Sequence, residues 1–333
     1  MPDEPNSWRE GLWAAADLIT PMAVRVAATL RLADHVAAGR RTSQELSAVV
    51  HAEPDVLARI LAHLVTAGVL TREESGEHGL TPLGEQLRDD HPAGLRAWLD
   101  LEGPIGRADL CLVELLHTVR TGEPAYPRHF GRPFWDDLSA DPARSAAFDD
   151  LMGGRLSADA PVIAEAYPWS PLAHVVDVGG GNASLLIAIL RAHETLRGTV
   201  VDLPGATHRA EAAIAAAGLA DRAAARPGSF FDPLPAGAGA YVLSGILHDW
   251  DDEHAARILS RCAEAAGGTG RVLVADHFGG APDTEGDLRM LCYVRGRERS
   301  LDDLTALAAT AGLSLAATHT AGTRTIVDLR PRL

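Results

Sequence analysis

Residues 174–186 read HVVDVGGGNASLL, and no other stretch limits the possible folds so strongly. His174 to Val178 is an apolar run suited to a buried strand. Gly179, Gly180 and Gly181 let the backbone turn and approach a ligand closely. SLLIAILRAH then has the length and apolar content of a buried helix. A strand that ends in glycines and feeds a helix opens a unit of a parallel sheet. Ligands of such sheets bind beyond the carboxyl ends of the strands, near the point where strand order reverses. The next strand, GTVVDLP, ends in Asp202, 21 residues after Gly181. A carboxylate there can accept both ribose hydroxyl protons of a nucleoside. GSFFD, residues 228–232, comes next and can offer a face to adenine.

A glycine loop with a distal acid suits a nicotinamide dinucleotide nearly as well. The dinucleotide loop, however, reads GxGxxG, and its last position is Ser184 here. Asp177 just before the loop fits the methyltransferase version better. A sulfonium cofactor carries no phosphate, so it needs no helix N-terminus aimed at pyrophosphate.

The alternation continues. AYVLSGIL and RVLVADHF read as strands, and HRAEAAIAAAG, EHAARILSRCAEAAG and LDDLTALAATAG as helices. LSLAATHT and TRTIVDLR lie only a few residues apart, so they must pair as an antiparallel hairpin. The predicted fold class is α/β, a doubly wound, Rossmann-like sheet with an antiparallel C-terminal hairpin over residues 171–333.

Residues 1–100 differ. Apolar residues at helical spacing (Leu18, Met22, Val26, Leu30) span residues 12–30. Thr42 with Glu45 has capping-box spacing. Pro54 opens a helix with Leu57, Ile60, Leu61, Leu64 and Val65 on one face, and Gly68 closes it. VLTREESGEHGLTPLG follows as a short hairpin. Three helices and a hairpin are the order of a winged helix. Residues 101–170 read as a helical bridge with bulky aromatic groups that can line a pocket.

Charge decides what the winged helix is for. The chain carries −15 overall, and all 30 basic residues are arginine. Residues 1–100 hold nine Arg against fifteen Asp and Glu, and the second helix of the motif offers only Arg59. Nucleic acid needs a basic face, so this unit is read as a packing domain and no nucleic-acid partner is expected. No apolar run reaches the roughly 18 residues of a membrane span. The acidic start, MPDEPNSWREGLW, lacks an apolar signal core, which gives a cytoplasmic expectation. Cys111, Cys262 and Cys292 are far apart and odd in number, as suits buried free thiols. Nothing has metal-ligand spacing, so no metal is expected.

The chain resembles the class I small-molecule O-methyltransferases of the caffeate and hydroxyindole type, in the actinomycete branch acting on aromatic polyketides and enediyne side groups. The segments that carry the resemblance are LARILAHLVTAGVL, GLTPLGEQL, HVVDVGGGNASLL, VVDLPG, GSFFDPLPAGAGAYVLSGILHDWDDEHAARIL and DLRMLCYVRGRERSLDDLTALAATAGL. It implies S-adenosylmethionine as cofactor, S-adenosylhomocysteine as its product, and a homodimer formed through a winged-helix dimerisation domain. It implies that Asp177, Gly179 and Gly181 border the methionine part of the cofactor. Asp202 and the adjoining Leu203 fall at the ribose, Ser229 and Phe230 at the adenine, Ser244 at the methionine amino end and Arg155 at its carboxylate. His248 of the HDW motif is then the general base, and Asp276 and Glu298 the two acids that orient it. Trp98, Arg107, Phe148, Met152, Asp249, Met290 and Tyr293 are the candidates for an aromatic acceptor pocket.

Three positions depart from the family pattern. Ala183 stands where the loop usually has another glycine. Ser229 stands where many members have Asp. Asp276 is one methylene shorter than the usual Glu.

The implied chemistry is an in-line transfer of a methyl group to a hydroxyl. A phenol has a pKa near 10, by analogy with tyrosine, so a base in hydrogen-bond reach is worth roughly 10²–10⁴-fold. Histidine titrates near working pH. A carboxylate on its other nitrogen fixes the tautomer and stabilises the imidazolium. Two alternatives stand beside this reading. One is a member that keeps the cofactor site but hydroxylates or decarboxylates its substrate. The other is a winged-helix regulator, which the acidic N-terminal unit disfavours.

Overall fold

Thr42 starts its helix as the spacing predicts. Its Oγ1 accepts the Glu45 N–H at 3.2 Å, while the Glu45 carboxylate accepts the Thr42 N–H at 3.0 Å. The helix so capped is Ser43–Val50. These positions come from a computed structural model that describes residues 11–278 and 283–332. The chain divides into two units, one ending at Leu110 and the other starting at Cys111.

In the first unit, helix Pro54–Thr66 buries Leu57, Leu61 and Leu64. Strands β1 (Leu70–Arg72) and β2 (His78–Leu80) pair antiparallel. With helices Leu32–Ala37 and Ser43–Val50 they make the three-helix-and-hairpin order of a winged helix. The apolar stretch 12–30 departs from one continuous helical face. Helix Leu12–Ala16 stops at Asp17, whose carboxylate accepts the N–H groups of Ile19 and Thr20 at 3.0 Å each and starts a new helix, Ile19–Thr29. The new helix buries its small residues, Ala23, Ala27 and Ala28. The large ones turn outward: Leu18 and Ile19 are 65% and 67% exposed, and Leu12, Trp13 and Met22 are exposed as well.

The second unit is built on seven strands: β3 (His174–Val178), β4 (Arg197–Asp202), β5 (Ala223–Pro227), β6 (Ala240–Leu243), β7 (Arg271–Asp276), β8 (Leu313–Ala321) and β9 (Arg324–Pro331). Their spatial order is β5-β4-β3-β6-β7-β9-β8. β3 to β7 are mutually parallel, and β9 runs antiparallel to both β7 and β8. The hairpin thus pairs as its short connection demands. Strand order reverses between β3 and β6, which opens a crevice at their carboxyl ends.

Side chains of the central strands alternate between two cores. Val175, Val242 and Leu273 face one that holds Trp169, Leu186 and Ile189. Val176, Tyr241 and Val274 face another that holds Ile258, Leu259 and Val327. Burial on both faces explains why these strands read as unbroken apolar runs.

Residues 111–170 fold into short helices and one long one, Pro142–Ala166, capped by Asp141. Pro161 lies inside it, where it has no N–H to give the helix ladder. The three cysteines are free, buried and all in the second unit. Among the described residues no helix is long and apolar enough to cross a membrane, and no cluster of His, Cys, Asp and Glu suits a metal ion.

Candidate active site

Two groups of residues meet the carboxyl ends of β3, β4, β6 and β7. The first is the glycine loop. Gly179 has φ 74° and Gly181 φ 54°. A side chain at Gly179 would run into Ile246, and a Cβ at Gly180 would come within 2.5 Å of the Asp177 carboxylate. Gly181 donates its N–H to Asp202 at 2.9 Å, and Leu203 donates to the other oxygen of the same carboxylate at 2.6 Å. Burial pushes the Asp202 pKa up, against the pull of these two donors.

Asp177 is more strained electrostatically. Its side chain is buried and Oδ2 has no hydrogen-bond partner. Burial, with the charge of Asp202 added, pushes its pKa up to about 7. Ser244, just past the end of β6, also has a buried Oγ without a partner. An orphaned carboxylate oxygen and an orphaned hydroxyl beside a side-chain-free loop fit a polar, cationic group. The family resemblance puts both residues at the methionine end of S-adenosylmethionine.

The rim of this loop explains two of the departures. Ala183 takes φ 69°, the left-handed region, at the head of helix Ser184–Ala192 and is fully buried. Its methyl packs into the core, so it does not fill the loop. Ser229 uses its Oγ to accept the Phe231 N–H at 3.1 Å, which leaves its own proton to donate. Phe230 lies edge-on to Trp250 and beside Gly179.

The second group surrounds His248, in the turn Leu247–Asp249. Nδ1 stands 3.4 Å from Glu298 Oε1 and 4.0 Å from Asp276 Oδ2, while Nε2 stands 3.4 Å from Asp249 Oδ1. Burial works to lower the imidazole pKa, and Arg155 adds to that. The carboxylates of Asp249, Asp276 and Glu298 outweigh both and raise it. Asp249 is pushed up to about 6 by burial, against the attraction of His248. Glu298 is likewise raised, chiefly by burial. Asp276 turns its other oxygen toward Arg324, 3.6 Å away. The arrangement can accept a proton on Nε2 and stabilise the resulting cation from the Nδ1 side.

Two expected pocket residues, Phe148 and Tyr293, join Phe134 and Trp135 in one aromatic cluster. Tyr293 stacks on Phe134 with centroids 5.7 Å apart, and Phe148 packs edge-on against Phe134 and Trp135. Tyr293 is buried, so it is a wall of this cluster, while Phe148, Met152 and Met290 are half-buried. Arg155 is exposed on helix Pro142–Ala166. Trp98 and Arg107 belong to the first unit, on helices Leu95–Leu99 and Pro104–Ala108, and both are half-buried there.

The sequence reading missed the residues that hold the His248 turn. Arg299 is buried and donates to the carbonyl oxygens of Leu247 (2.6 Å) and Trp250 (2.8 Å) and to the Asp252 carboxylate (2.8 Å). Arg297 donates its N–H to the His248 carbonyl at 2.9 Å, and any side chain at Gly296 would overlap that oxygen. The Glu298 N–H is held by Asp287 at 2.8 Å. The run GRERS, of which the family pattern singles out only Glu298, is thus a brace for the whole turn. Asn182 was missed too: its Oδ1 accepts the Ser184 N–H at 3.2 Å and the Ser184 hydroxyl at 2.6 Å, where the loop enters the helix.

A family model described as the O-methyltransferase domain matches residues 112–314, and one described as the O-methyltransferase dimerisation domain matches residues 13–88. The chain is 56% identical over 321 residues to 2,7-dihydroxy-5-methyl-1-naphthoate 7-O-methyltransferase of Streptomyces carzinostaticus, covering 96% of this chain and 97% of that protein. It is 46% identical to the aclacinomycin 10-hydroxylase RdmB of Streptomyces purpurascens, covering 93% and 85%. Among solved structures it matches the O-methyltransferase NcsB1 from neocarzinostatin biosynthesis, in complex with S-adenosylmethionine and 2-hydroxy-5-methyl naphthoic acid. That match has a TM-score of 0.94 at 56% identity and covers 96% of this chain and 98% of that one.

Proposed function

The chain belongs to the O-methyltransferase family, and on that premise we propose that it transfers a methyl group from S-adenosylmethionine to a hydroxyl of a small aromatic acceptor of the hydroxynaphthoate class, in the biosynthesis of a polyketide antibiotic. The observation that carries the reading is His248, flanked by Glu298 and Asp276.

When bound, S-adenosylmethionine supplies an electrophilic methyl carbon. Asp202 would hold the ribose, Ser229 and Phe230 the adenine, Asp177 and Ser244 the ammonium end, and Arg155 the carboxylate. His248 takes the hydroxyl proton on Nε2 as the oxygen becomes nucleophilic. Glu298 and Asp276 keep Nδ1 protonated and stabilise the imidazolium. Phe148, Met152, Met290 and Tyr293 are the proposed acceptor contacts, and apolar walls favour a reaction in which opposite charges cancel. The proposed division of labour gives residues 1–100 to dimerisation, 101–170 to the acceptor pocket and 171–333 to the cofactor. A homodimer is part of the proposal, supported by the match to the dimerisation model and by the apolar side chains turned outward along residues 12–22.

A second reading has one observation in its favour, the likeness to a hydroxylase. Incubation with S-adenosylmethionine and a dihydroxynaphthoate separates the two. Formation of S-adenosylhomocysteine with an O-methylated product is expected. A hydroxylated product, or cofactor binding with no methylated product across hydroxynaphthoates and simple phenols, would overturn the first reading.

A further inference from the structure

Arg324 opens β9 and is buried. Its Nε donates to Asp159 Oδ2 at 2.7 Å, on helix Pro142–Ala166, and its Nη1 stands 3.6 Å from Asp276 Oδ1 at the end of β7. One guanidinium therefore joins the long helix to an acid beside His248. Asp276 divides its two oxygens: Oδ1 receives the His277 N–H at 2.9 Å and faces Arg324, whereas Oδ2 faces His248 Nδ1 at 4.0 Å.

We propose that Arg324 is a positioning residue for proton transfer: it holds Asp276 as half of an ion pair, so that Asp276 attracts the His248 cation less than a lone carboxylate would, while Glu298 is the acid nearer to Nδ1. The inference rests on the reading of His248 as the base. The groups that face His248 are Asp249 on its own turn, Asp276 from β7, Glu298 from the segment after helix Thr284–Val294, and Arg155 from helix Pro142–Ala166. Four charges bear on the imidazole, three of them negative. Uncompensated, the acids favour the imidazolium, whereas a base must be neutral. Arg324 offsets one of the three from behind. The shorter acid at position 276 serves this role, because it keeps its carboxylate back toward the strand and within reach of Arg324.

The test is an NMR titration of the His248 imidazole in the full chain, its signal identified by loss in His248→Gln. Arg324→Gln is expected to raise the His248 pKa by roughly half a unit or more, since a lone carboxylate near a histidine favours the cation. Arg324→Lys should keep it near the wild-type value. In an Asp276→Asn background the effect of Arg324→Gln should largely vanish, as required if Arg324 acts through Asp276. An unchanged titration in folded Arg324→Gln would overturn the proposal, and so would an undiminished shift in the Asp276→Asn background. If Arg324→Gln does not fold, Asp159→Asn decides: the guanidinium then leans on Asp276 alone and the His248 pKa should fall, while no movement sinks the idea. The titration does not depend on turnover. Should it behave as expected while the rate of methyl transfer ignores the same inflection, the fault lies with His248 as base and not with Arg324.

Discussion

Glu298 comes within 3.4 Å of the Nδ1 of His248, nearer than the other acid on that side of the ring. The family pattern assigns both acids to the histidine; Glu298 is the nearer, while the charge of Asp276 weighs more on the imidazole.

His248→Gln should lower the rate at pH 7 by roughly 10²–10⁴-fold while cofactor affinity stays near wild type. Glu298→Gln should cost less than that, and Asp276→Asn less again. The raised His248 pKa gives the sign of the pH profile. The base must be neutral, so kcat/KM should climb with pH through an inflection above the ordinary histidine value of about 6.5. A neutral phenol as acceptor keeps the acceptor's own ionisation out of the measurement. Equal rates for wild type and His248→Gln at pH 7, with chemistry rate-limiting, would mean that alignment alone carries catalysis.

Asp177 should couple cofactor binding to protons. Its pKa is raised to about 7, so in the ligand-free fold the carboxyl is part-protonated at neutral pH. The unfolded value is about 4. The stability this group contributes is therefore in place below about 4 and is lost as pH rises through 7. A bound cation favours the carboxylate, so binding should release a proton near pH 7 and tighten as pH rises. Calorimetry in buffers of different ionisation enthalpy reads that proton. Asp177→Asn should bind with no such release. Proton release undiminished in the variant would point to another group.

Arg299→Met should loosen the turn that carries His248. Two carbonyl oxygens lose their donor, an expected cost of about 3 kcal/mol in denaturant unfolding. Because the turn positions the base, kcat should fall more than KM rises. A variant that is destabilised but fully active after refolding would reduce Arg299 to a structural brace.

The outward apolar side chains of residues 12–22 should be covered by a second copy. Ile19→Arg places a charge on that face and should shift sedimentation from dimer toward monomer at micromolar concentration. A wild-type chain that sediments as a fully active monomer would refute the dimer.

The sheet was legible because its strands, buried on both faces, leave apolar runs bounded by glycine and aspartate. The glycine loop and Asp202 followed from the same pattern, and the His248 turn from the family's own segment. What was not legible depended on distance in three dimensions. Residues 12–30 share a helical period over their whole length, but Asp17 captures two backbone donors and breaks the helix. Periodicity also could not tell which face is inward, and small alanines took it from large leucines. Arg299 and Arg324 look like ordinary surface arginines in a chain that has only arginine for a cation. Their burial is decided by β6, β7 and β9 coming together, which no local signal records.

The three buried thiols lie wholly in the second unit, and the first has none. A thiol reagent therefore has nothing to attack in the closed protein. The rate at which it labels the chain counts the openings of the catalytic unit alone. Comparing that rate with and without cofactor would separate tightening of this unit from any change in how two chains associate.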